Sequence, residues 1–157
     1  MSKYHQGRYQ ITRPEKYVGD PNNVVFRSGW ERLFMLRCEK DPNILKWASE
    51  ETIVPYYSTV HRKWRRYFVD FIVLIRKDDG STEKLLVEVK PNKKASPPKQ
   101  PKRMTKKAKG RLIEETMEYQ VNQDKWEAAR EWAKKHGMRF VVMDEYSLGI
   151  KKRKKAA

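Results

Sequence analysis

Three ionisable residues inside two predicted strands could carry out hydrolytic chemistry. Asp70 lies in an apolar segment at 67–75, and Glu88 and Lys90 lie in a second one at 84–90. Both segments are rich in β-branched and aromatic residues, which predicts strands. Acidic and lysine side chains are rarely buried unless they are paired or bind a metal. We therefore interpret their presence in two good strands as the mark of a functional site.

The connection between these strands predicts that the three residues converge. A three-residue hairpin loop at 78–80, with Gly80 in the left-handed position, is favoured. Asp70 then lies opposite Glu88, and Lys90 points the same way as Glu88 because side chains alternate along a strand. A two-residue loop would place the two acids on opposite faces. The reverse face is apolar and should be covered by helices; it comprises Phe71, Val73, Ile75, Leu85, Val87 and Val89.

Two carboxylates and a lysine at one point suggest metal-assisted hydrolysis. Ionised carboxylates that face each other repel, and a divalent cation relieves the repulsion. A few carboxylate oxygens suit Mg²⁺, with Mn²⁺ as a substitute, and Mg²⁺ keeps waters that can attack a phosphate. A lysine can orient that water or stabilise the developing charge. We expect Asp70 and Glu88 to bind the metal, with the Val89 carbonyl as an extra ligand and Lys90 beside it. The alternative is a buried ion pair without chemistry.

Composition points to a polyanionic partner. The 157 residues include 36 Lys and Arg against 20 Asp and Glu, a formal charge of +16. This charge predicts DNA or RNA as partner, with an anionic membrane surface as the competing explanation. No apolar stretch is long enough to span a bilayer, and no signal-peptide pattern is present. A single cysteine, Cys38, excludes an internal disulfide and indicates a reducing compartment, and we expect it in the core.

The chain is predicted to form one domain, at 28–145, with basic appendages. Residues 1–27 are polar and are expected to form a loosely held arm. Residues 91–111 contain nine Lys or Arg and no acid, which predicts a mobile basic insert beside the site; the alternative is a solvated linker. The tail at 146–157 carries five consecutive basic residues at 151–155, and this basic run is expected to be disordered. The residues expected to contact DNA are Lys93, Lys94, Lys99, Lys102, Arg103, Lys106 and Lys107.

The remaining elements follow from capping and periodicity. Ser28 and Glu31 form a capping box at the start of a helix. A short second helix is predicted from Asp41, and a strand that carries Pro55 is predicted at a sheet edge over 52–57. A helix over 107–119, another capped by Asn122, and a final strand at 140–143 complete the order.

This order resembles the PD-(D/E)XK nuclease superfamily, with Asp70 on the second strand and Glu88-Val89-Lys90 on the third. The segments at 28–31, 47–50, 53–56, 65–70 and 88–91 are similar to the TnsA-like branch, which includes the endonuclease subunit of certain transposons. The segments at 17–21, 97–98 and 121–126 are similar to the head completion nucleases of tailed phages. The resemblance covers 17–145. It departs from the superfamily pattern at Val69, which stands where the pattern has proline.

The resemblance implies a single-domain α/β fold of the restriction-endonuclease type, with a mixed four-stranded sheet flanked by helices in the order α-β-β-β-α-β. It implies a Mg²⁺-dependent DNA endonuclease or exonuclease that acts after genome packaging and before head–tail joining. Head or portal proteins would be partners, and the location would be the host cytoplasm during assembly or the virion head. In this superfamily a helix-borne glutamate often completes the acidic cluster, which gives Glu31 a catalytic or metal-binding role.

Two other functions stay open at this point. A non-catalytic DNA-binding protein of the head or portal would explain the charge and the small size equally well, although the intact set of acids argues against it. A transposon or repair endonuclease would share the chemistry and differ only in its partners.

Overall fold

The computed structural model describes residues 6–153 and shows a mixed four-stranded sheet with one helix on each face. In chain order the elements are β1 (Gly7–Arg8), β2 (Val25–Phe26), α1 (Gly29–Lys40), β3 (Ile44–Ser58), β4 (Lys63–Arg76), β5 (Thr82–Val89), α2 (Lys106–Lys135) and β6 (Arg139–Met143). The sheet order is β3-β4-β5-β6, with β5 and β6 parallel and the other neighbours antiparallel. The predicted α-β-β-β-α-β core is confirmed, and β1 and β2 form a separate two-stranded ribbon.

Each face of the sheet is covered by one helix. The face predicted to be apolar packs against α1, and Phe34 and Cys38 of the helix share a buried cluster with Phe71 and Val87. Cys38 is a buried free thiol in this cluster, as expected. The opposite face packs against α2, whose buried residues in the second cluster are Trp126, Ala129 and Ala133. The acidic residues of interest therefore lie in a sheet buried on both sides.

The short helix predicted from Asp41 is wrong, because residues 44–58 form the long edge strand β3. Asp41 ends α1 and accepts a hydrogen bond from the Asn43 N–H at 2.8 Å, which turns the chain. Ile44 and Trp47 then reach the core as strand residues paired with β4. Pairing with a long neighbour decides the structure here, whereas the sequence shows only an apolar spacing that suits either element. The edge position predicted for the strand with Pro55 is confirmed.

The predicted break between two C-terminal helices is also wrong. Residues 106–135 form one helix of 30 residues, and Asn122 is buried inside it. No glycine or proline interrupts 111–136, so no residue forces the helix to stop at Asn122. The helix ends at Lys135, and Gly137 follows the C-cap His136 with a φ of 69°. No helix among residues 6–153 is both long and apolar enough to cross a membrane.

The N-terminal segment is packed rather than loosely held over the part that the structure describes. Tyr9, Tyr17 and Val24 are buried in the α1-side cluster. Tyr17 packs edge-on against Trp47, with ring centroids 4.8 Å apart. The segment is polar overall, and these few apolar residues anchor it, which a mean composition does not reveal. Residues 1–5 and 154–157 lie outside the described residues, so the expectation of disorder for Lys154 and Lys155 falls outside them too.

The packing of β4 changes direction at Asp70. Tyr67 and Val69 belong to the cluster on the α2 side, whereas Phe71 belongs to the cluster on the α1 side. The neighbouring strand β3 is irregular at the same level, where its register shifts between Ser49 and Thr52. Glu50, inside this irregularity, has a φ of 55°. Bulges of this kind re-aim side chains and are common beside active sites.

Candidate active site

The hairpin between β4 and β5 sets the position of the central carboxylate. Lys77 N–H donates to the Ser81 carbonyl at 2.7 Å, and Gly80 has φ of 85°, as the three-residue loop requires. The register pairs Phe71 with Val87, which confirms the predicted alignment. The regular backbone pairing between β4 and β5 ends at Phe71, one residue before Asp70. Instead of pairing through its backbone to Glu88, Asp70 accepts a hydrogen bond on its Oδ2 from the Val89 N–H at 2.8 Å.

Glu88 is the second carboxylate of the site and is held from two directions. It is buried, with 7% of its surface exposed. Its Oε2 accepts a hydrogen bond from the Tyr67 hydroxyl at 2.6 Å, and its Oε1 lies 3.8 Å from Lys90 Nζ. Lys90 therefore lies on the same side as Glu88, as the alternation along the strand predicts. Tyr67 supplies a neutral hydrogen bond, so Lys90 is the cation that faces the charge of this carboxylate.

Glu31 comes to this point from the first turn of α1, where the Ser28 side chain caps the helix. Its N–H donates to Ser28 Oγ at 3.2 Å, so the predicted cap is present. Its side chain is buried, and the negative charges of Glu50 and Glu88 act on it. Its carboxylate also interacts with the Ser28 side chain and the Arg27 backbone, which offset part of the rise in its pKa. We call Glu31, Asp70 and Glu88 the acidic cluster.

The electrostatics of the acidic cluster favour a cation. Burial raises the pKa of Asp70 well above its usual range, and the charges of Glu88 and Glu31 raise it further. The Val89 N–H and Lys90 offset only part of this effect. Burial also raises the pKa of Glu31, with Glu50 and Glu88 adding to it. Acids whose pKa is raised by burial and by like charges are typical of catalytic and metal-binding sites.

Two further residues border the site that the sequence did not indicate. Tyr67 donates a hydrogen bond to Glu88. Strict alternation would place Tyr67 on the face opposite Asp70, but the change of packing at Asp70 puts it on the same side as Glu88. Lys125 of α2 lies with its Nζ 5.4 Å from the centroid of the Tyr67 ring. Burial lowers the pKa of Lys125, and Glu88 offsets part of this effect. The only sequence signal was a lysine beside Trp126 on a buried helix face.

An exposed ion pair lies at the edge of the site. Arg27 Nε is 2.6 Å from Glu50 Oε1, in the irregular part of β3. The pairing with Glu50 raises the pKa of Arg27, and the charges of Glu31 and Asp70 contribute. The pair as a whole carries no net charge beside the acidic cluster. Glu50 is thus bound to Arg27 at the edge of the site.

Comparison with known proteins assigns this chain to a family. The family model for the TnsA-like endonuclease N-terminal region matches residues 41–145. The chain is also 37% identical over 144 residues to the head completion nuclease of Enterobacteria phage T4, which covers 92% of this chain and 93% of that protein. The chain belongs to the TnsA-like endonuclease family. No solved structure gives a significant match.

The family match covers most of the candidate site residues but not Glu31. Asp70, Glu88 and Lys90 fall inside the matched range, as do Tyr67 and Lys125. Glu31 precedes the match, so its part in this TnsA-like endonuclease depends on the geometry alone. The restriction-endonuclease type of fold expected from the sequence agrees with the family.

The donor set near the acidic cluster suits a hydrated hard cation. No group of three or more His, Cys, Asp or Glu side chains within residues 6–153 is arranged to hold a metal ion by itself. Mg²⁺ does not need such a cage, because it is commonly bound by one or two carboxylates, substrate phosphates and waters. Asp70 and Glu88 supply two carboxylates whose mutual repulsion a cation would relieve. The residues present therefore fit a magnesium ion.

The basic insert is partly ordered in this family member. Asn92 anchors it, with its N–H bound to Glu145 at 3.0 Å and its amide group bound to Asp144 at 3.0 Å. Lys94 pairs with Glu118 of α2 at 3.0 Å. Lys106 and Lys107 lie in the first turn of α2, which corrects the expectation of a loop up to 111. A groove of about 590 Å³ separates the insert from α2; among the residues that line it are Lys93, Lys94, Lys99, Glu115, Tyr119 and Tyr146.

Proposed function

We propose that this chain is a metal-dependent DNA nuclease of phage head completion that hydrolyses phosphodiesters at the acidic cluster. The observation that carries the proposal is the position of Asp70, a partly buried carboxyl beside two other acids with a single N–H donor. The name of the phage relative and the endonuclease family support the reaction and the biological step. The charge of +16 supports a DNA substrate.

Asp70 and Glu88 are the proposed ligands of Mg²⁺, with Mn²⁺ as a substitute, the Val89 carbonyl as an extra ligand, and Glu31 as an additional ligand or water-holding group. A bound Mg²⁺ would supply Lewis acidity and lower the pKa of a coordinated water. Lys90 positions the attacking water and stabilises the charge that develops on the phosphate. Its 3.8 Å approach to Glu88 supports this placement.

Tyr67 and Lys125 are positioning residues in this proposal. The Tyr67 hydroxyl leaves Glu88 Oε1 facing Lys90, because it holds the other oxygen. Lys125 lies over the Tyr67 ring and is paired with no acid of residues 6–153 within salt-bridge distance. Its ammonium group adds positive charge on the α2 side of a site that must accept a phosphate.

The proposed DNA-binding residues are Lys93, Lys94, Lys99, Lys102, Arg103, Lys106 and Lys107, on the insert and the start of α2. Contacts with phosphates carry no sequence information, so binding should be largely independent of sequence and fall steeply with salt. The ion pair of Lys94 with Glu118 makes its contribution smaller than that of its neighbours. Head or portal proteins are proposed as partners, and the host cytoplasm or the assembled head as the location.

The experiment is a plasmid-nicking assay with Mg²⁺, on wild type, Asp70→Asn and Lys90→Ala. We expect both variants to lose at least about a hundredfold in rate, because each removes a group that stabilises the transition state. Cleavage by both variants at the wild-type rate would remove the mechanism. Tight DNA binding by a wild type that never cuts would instead support the non-catalytic assembly protein. Assays on linear and on circular DNA separate exonuclease from endonuclease activity.

A further inference from the structure

Two strands of the sheet continue beyond their neighbours and form a projecting arm. β3 and β4 have 15 and 14 residues, whereas β5 has 8 and pairs with β4 only from Phe71 to Arg76. The portion of β3 and β4 over 52–58 and 63–69 therefore forms a two-stranded ribbon, which we call the arm. Its pairing is regular, from Thr52 with Val69 to Ser58 with Lys63.

The two faces of the arm differ sharply. One face is buried against α2 and contains Val54, Tyr56, Tyr67 and Val69. The other face is exposed and presents three cross-strand pairs, Ile53 with Phe68, Pro55 with Arg66, and Tyr57 with Trp64. Trp64 has 71% of its surface exposed, the highest value among the large hydrophobic residues that the structure describes as exposed. A ladder of exposed rings on one sheet face indicates a binding surface.

The exposed rings are held in defined positions. The Tyr57 and Trp64 rings meet edge-on, with centroids 5.8 Å apart and planes at 73°. The Arg66 guanidinium carbon lies 5.4 Å from the centroid of the Phe68 ring. Rings that are fixed before binding lose little conformational freedom when a partner arrives.

Charge identifies the class of partner. Arg66 lies on the exposed face itself, and the segment 58–69 that forms this part of the arm also contains Arg62, Lys63 and Arg65 and no acidic residue. A protein-binding apolar patch has no need of four cations and no anion, whereas aromatic rings combined with arginines are the usual platform for unpaired nucleic-acid bases. Bases inside a duplex are stacked on each other and cannot offer their faces to these rings. The surface therefore fits DNA with unpaired bases.

The ladder leads to the proposed catalytic residue. Trp64, Arg66 and Phe68 follow each other at every second position of β4, and Asp70 lies two residues beyond Phe68 on the same strand, where the packing of β4 changes direction. At about 3.3 Å per residue the distance along the strand from Trp64 to Asp70 is about 20 Å, and from Phe68 to Asp70 about 7 Å. A strand of DNA stacked on the arm would thus run toward the acidic cluster.

We infer that the exposed face of the arm binds unpaired bases of DNA by stacking and directs a single-stranded end or tail to the acidic cluster. This inference rests on the proposed nuclease function and adds the substrate class, namely DNA with an unpaired segment next to the scissile bond. The preference is for structure rather than sequence, because every base has a face that can stack.

The test measures binding separately from cleavage. Fluorescence anisotropy of labelled DNA is recorded for the Asp70→Asn protein without divalent metal, with a blunt duplex and with the same duplex carrying a single-stranded tail. We expect the tailed DNA to bind at least about fivefold more tightly than the blunt duplex. Trp64→Ala should weaken binding of the tailed DNA by about 5- to 150-fold and should change binding of the blunt duplex little. Trp64→Tyr, which keeps a ring, should restore most of the preference.

Lys63→Gln is the matched control, because it removes a charge next to Trp64 and leaves the rings intact. It should weaken binding to both DNAs by the same factor. Melting temperatures should be unchanged, since both side chains are exposed. Equal affinity of the parent for tailed and blunt DNA, or an unaltered ratio in Trp64→Ala, would overturn the inference and favour a docked protein. The nuclease proposal fails by a different result, the absence of metal-dependent cleavage by wild type.

Discussion

Two acids held inside this fold have opposite environments. Glu39, at the end of α1, accepts hydrogen bonds from the Tyr9 hydroxyl at 2.6 Å, the Thr12 N–H at 2.7 Å, the Thr12 hydroxyl at 3.0 Å and the Arg13 N–H at 3.0 Å. Asp70 has one N–H donor and two acidic neighbours.

Their pKa values move in opposite directions as a result. For Glu39, burial alone would raise the pKa, but the hydrogen bonds from Tyr9, Arg13 and Thr12 outweigh it and the pKa is lowered. For Asp70, burial and the nearby charges leave the pKa well above its usual range. The Glu39 carboxylate is therefore well hydrogen-bonded and anchors the N-terminal segment, whereas the charge of Asp70 needs a cation to balance it. The donors around a buried acid, more than burial itself, distinguish a structural acid from a functional one.

The same substitution at two buried glutamates gives the largest expected contrast. Glu88→Gln should lower metal-dependent DNA cleavage by about a thousandfold, because it removes a proposed ligand charge without changing the shape of the side chain. Glu39→Gln should keep the cleavage rate within about threefold of wild type below its melting temperature, since Glu39 lies outside the site. Initial nicking rates at matched folded concentrations measure both. Equal losses in the two variants would contradict the comparison.

The free energy of unfolding should depend more strongly on Glu39 than on Glu88. Glu39→Gln should lower the free energy of unfolding by about 2 kcal/mol, because an amide cannot accept from all four donors and its own N–H groups meet no acceptor. The melting temperature should fall by roughly 4–8 °C. Thermal and urea unfolding measure this loss, with Glu114→Gln on the exposed side of α2 as the control. A change as small as that of the control would show that the anchor contributes little.

Removing the charge at Asp70 should stabilise the metal-free protein. A raised pKa means that the folded protein favours the protonated acid, so this stability is present at low pH and is lost as pH rises through the folded pKa. Asp70→Asn should therefore raise the melting temperature by roughly 2–4 °C at neutral pH, and by less at acidic pH. Mg²⁺ should raise the melting temperature of wild type and leave the variant nearly unchanged. A destabilised variant would contradict the account of Asp70.

The smallest expected effect is the acid dependence of the Glu39 anchor. Because its pKa is lowered in the folded state, its contribution is present above the ordinary glutamate pKa of about 4.3 and is lost as pH falls through the folded value. The difference in unfolding free energy between wild type and Glu39→Gln should therefore be constant above about pH 5 and shrink below about pH 4. Urea titrations across this range measure it, and a difference independent of pH would contradict the assignment.

The contrast between these acids also shows how far the sequence leads. The hairpin loop, the alternation and the strand composition predicted that Asp70, Glu88 and Lys90 converge, and the structure brings them together. The same reasoning missed Tyr67 and Lys125, because a change in packing along β4 and a contact from a distant helix have no local signal. It also split α2 at Asn122, since a capping residue type cannot be told from a buried helical one by spacing alone.

By itself the sequence determined the pairing of the two central strands, the capped start of α1, the excess of positive charge and the TnsA-like motifs, because these depend on residue types at short separations. Only the tertiary structure decided that the N-terminal segment is anchored on Glu39, that β3 and β4 extend into an arm with an exposed aromatic face, and that Tyr67 and Lys125 border the acids. These features depend on which strand ends first and which helix lies across it, and such long-range packing leaves no periodic trace in the chain.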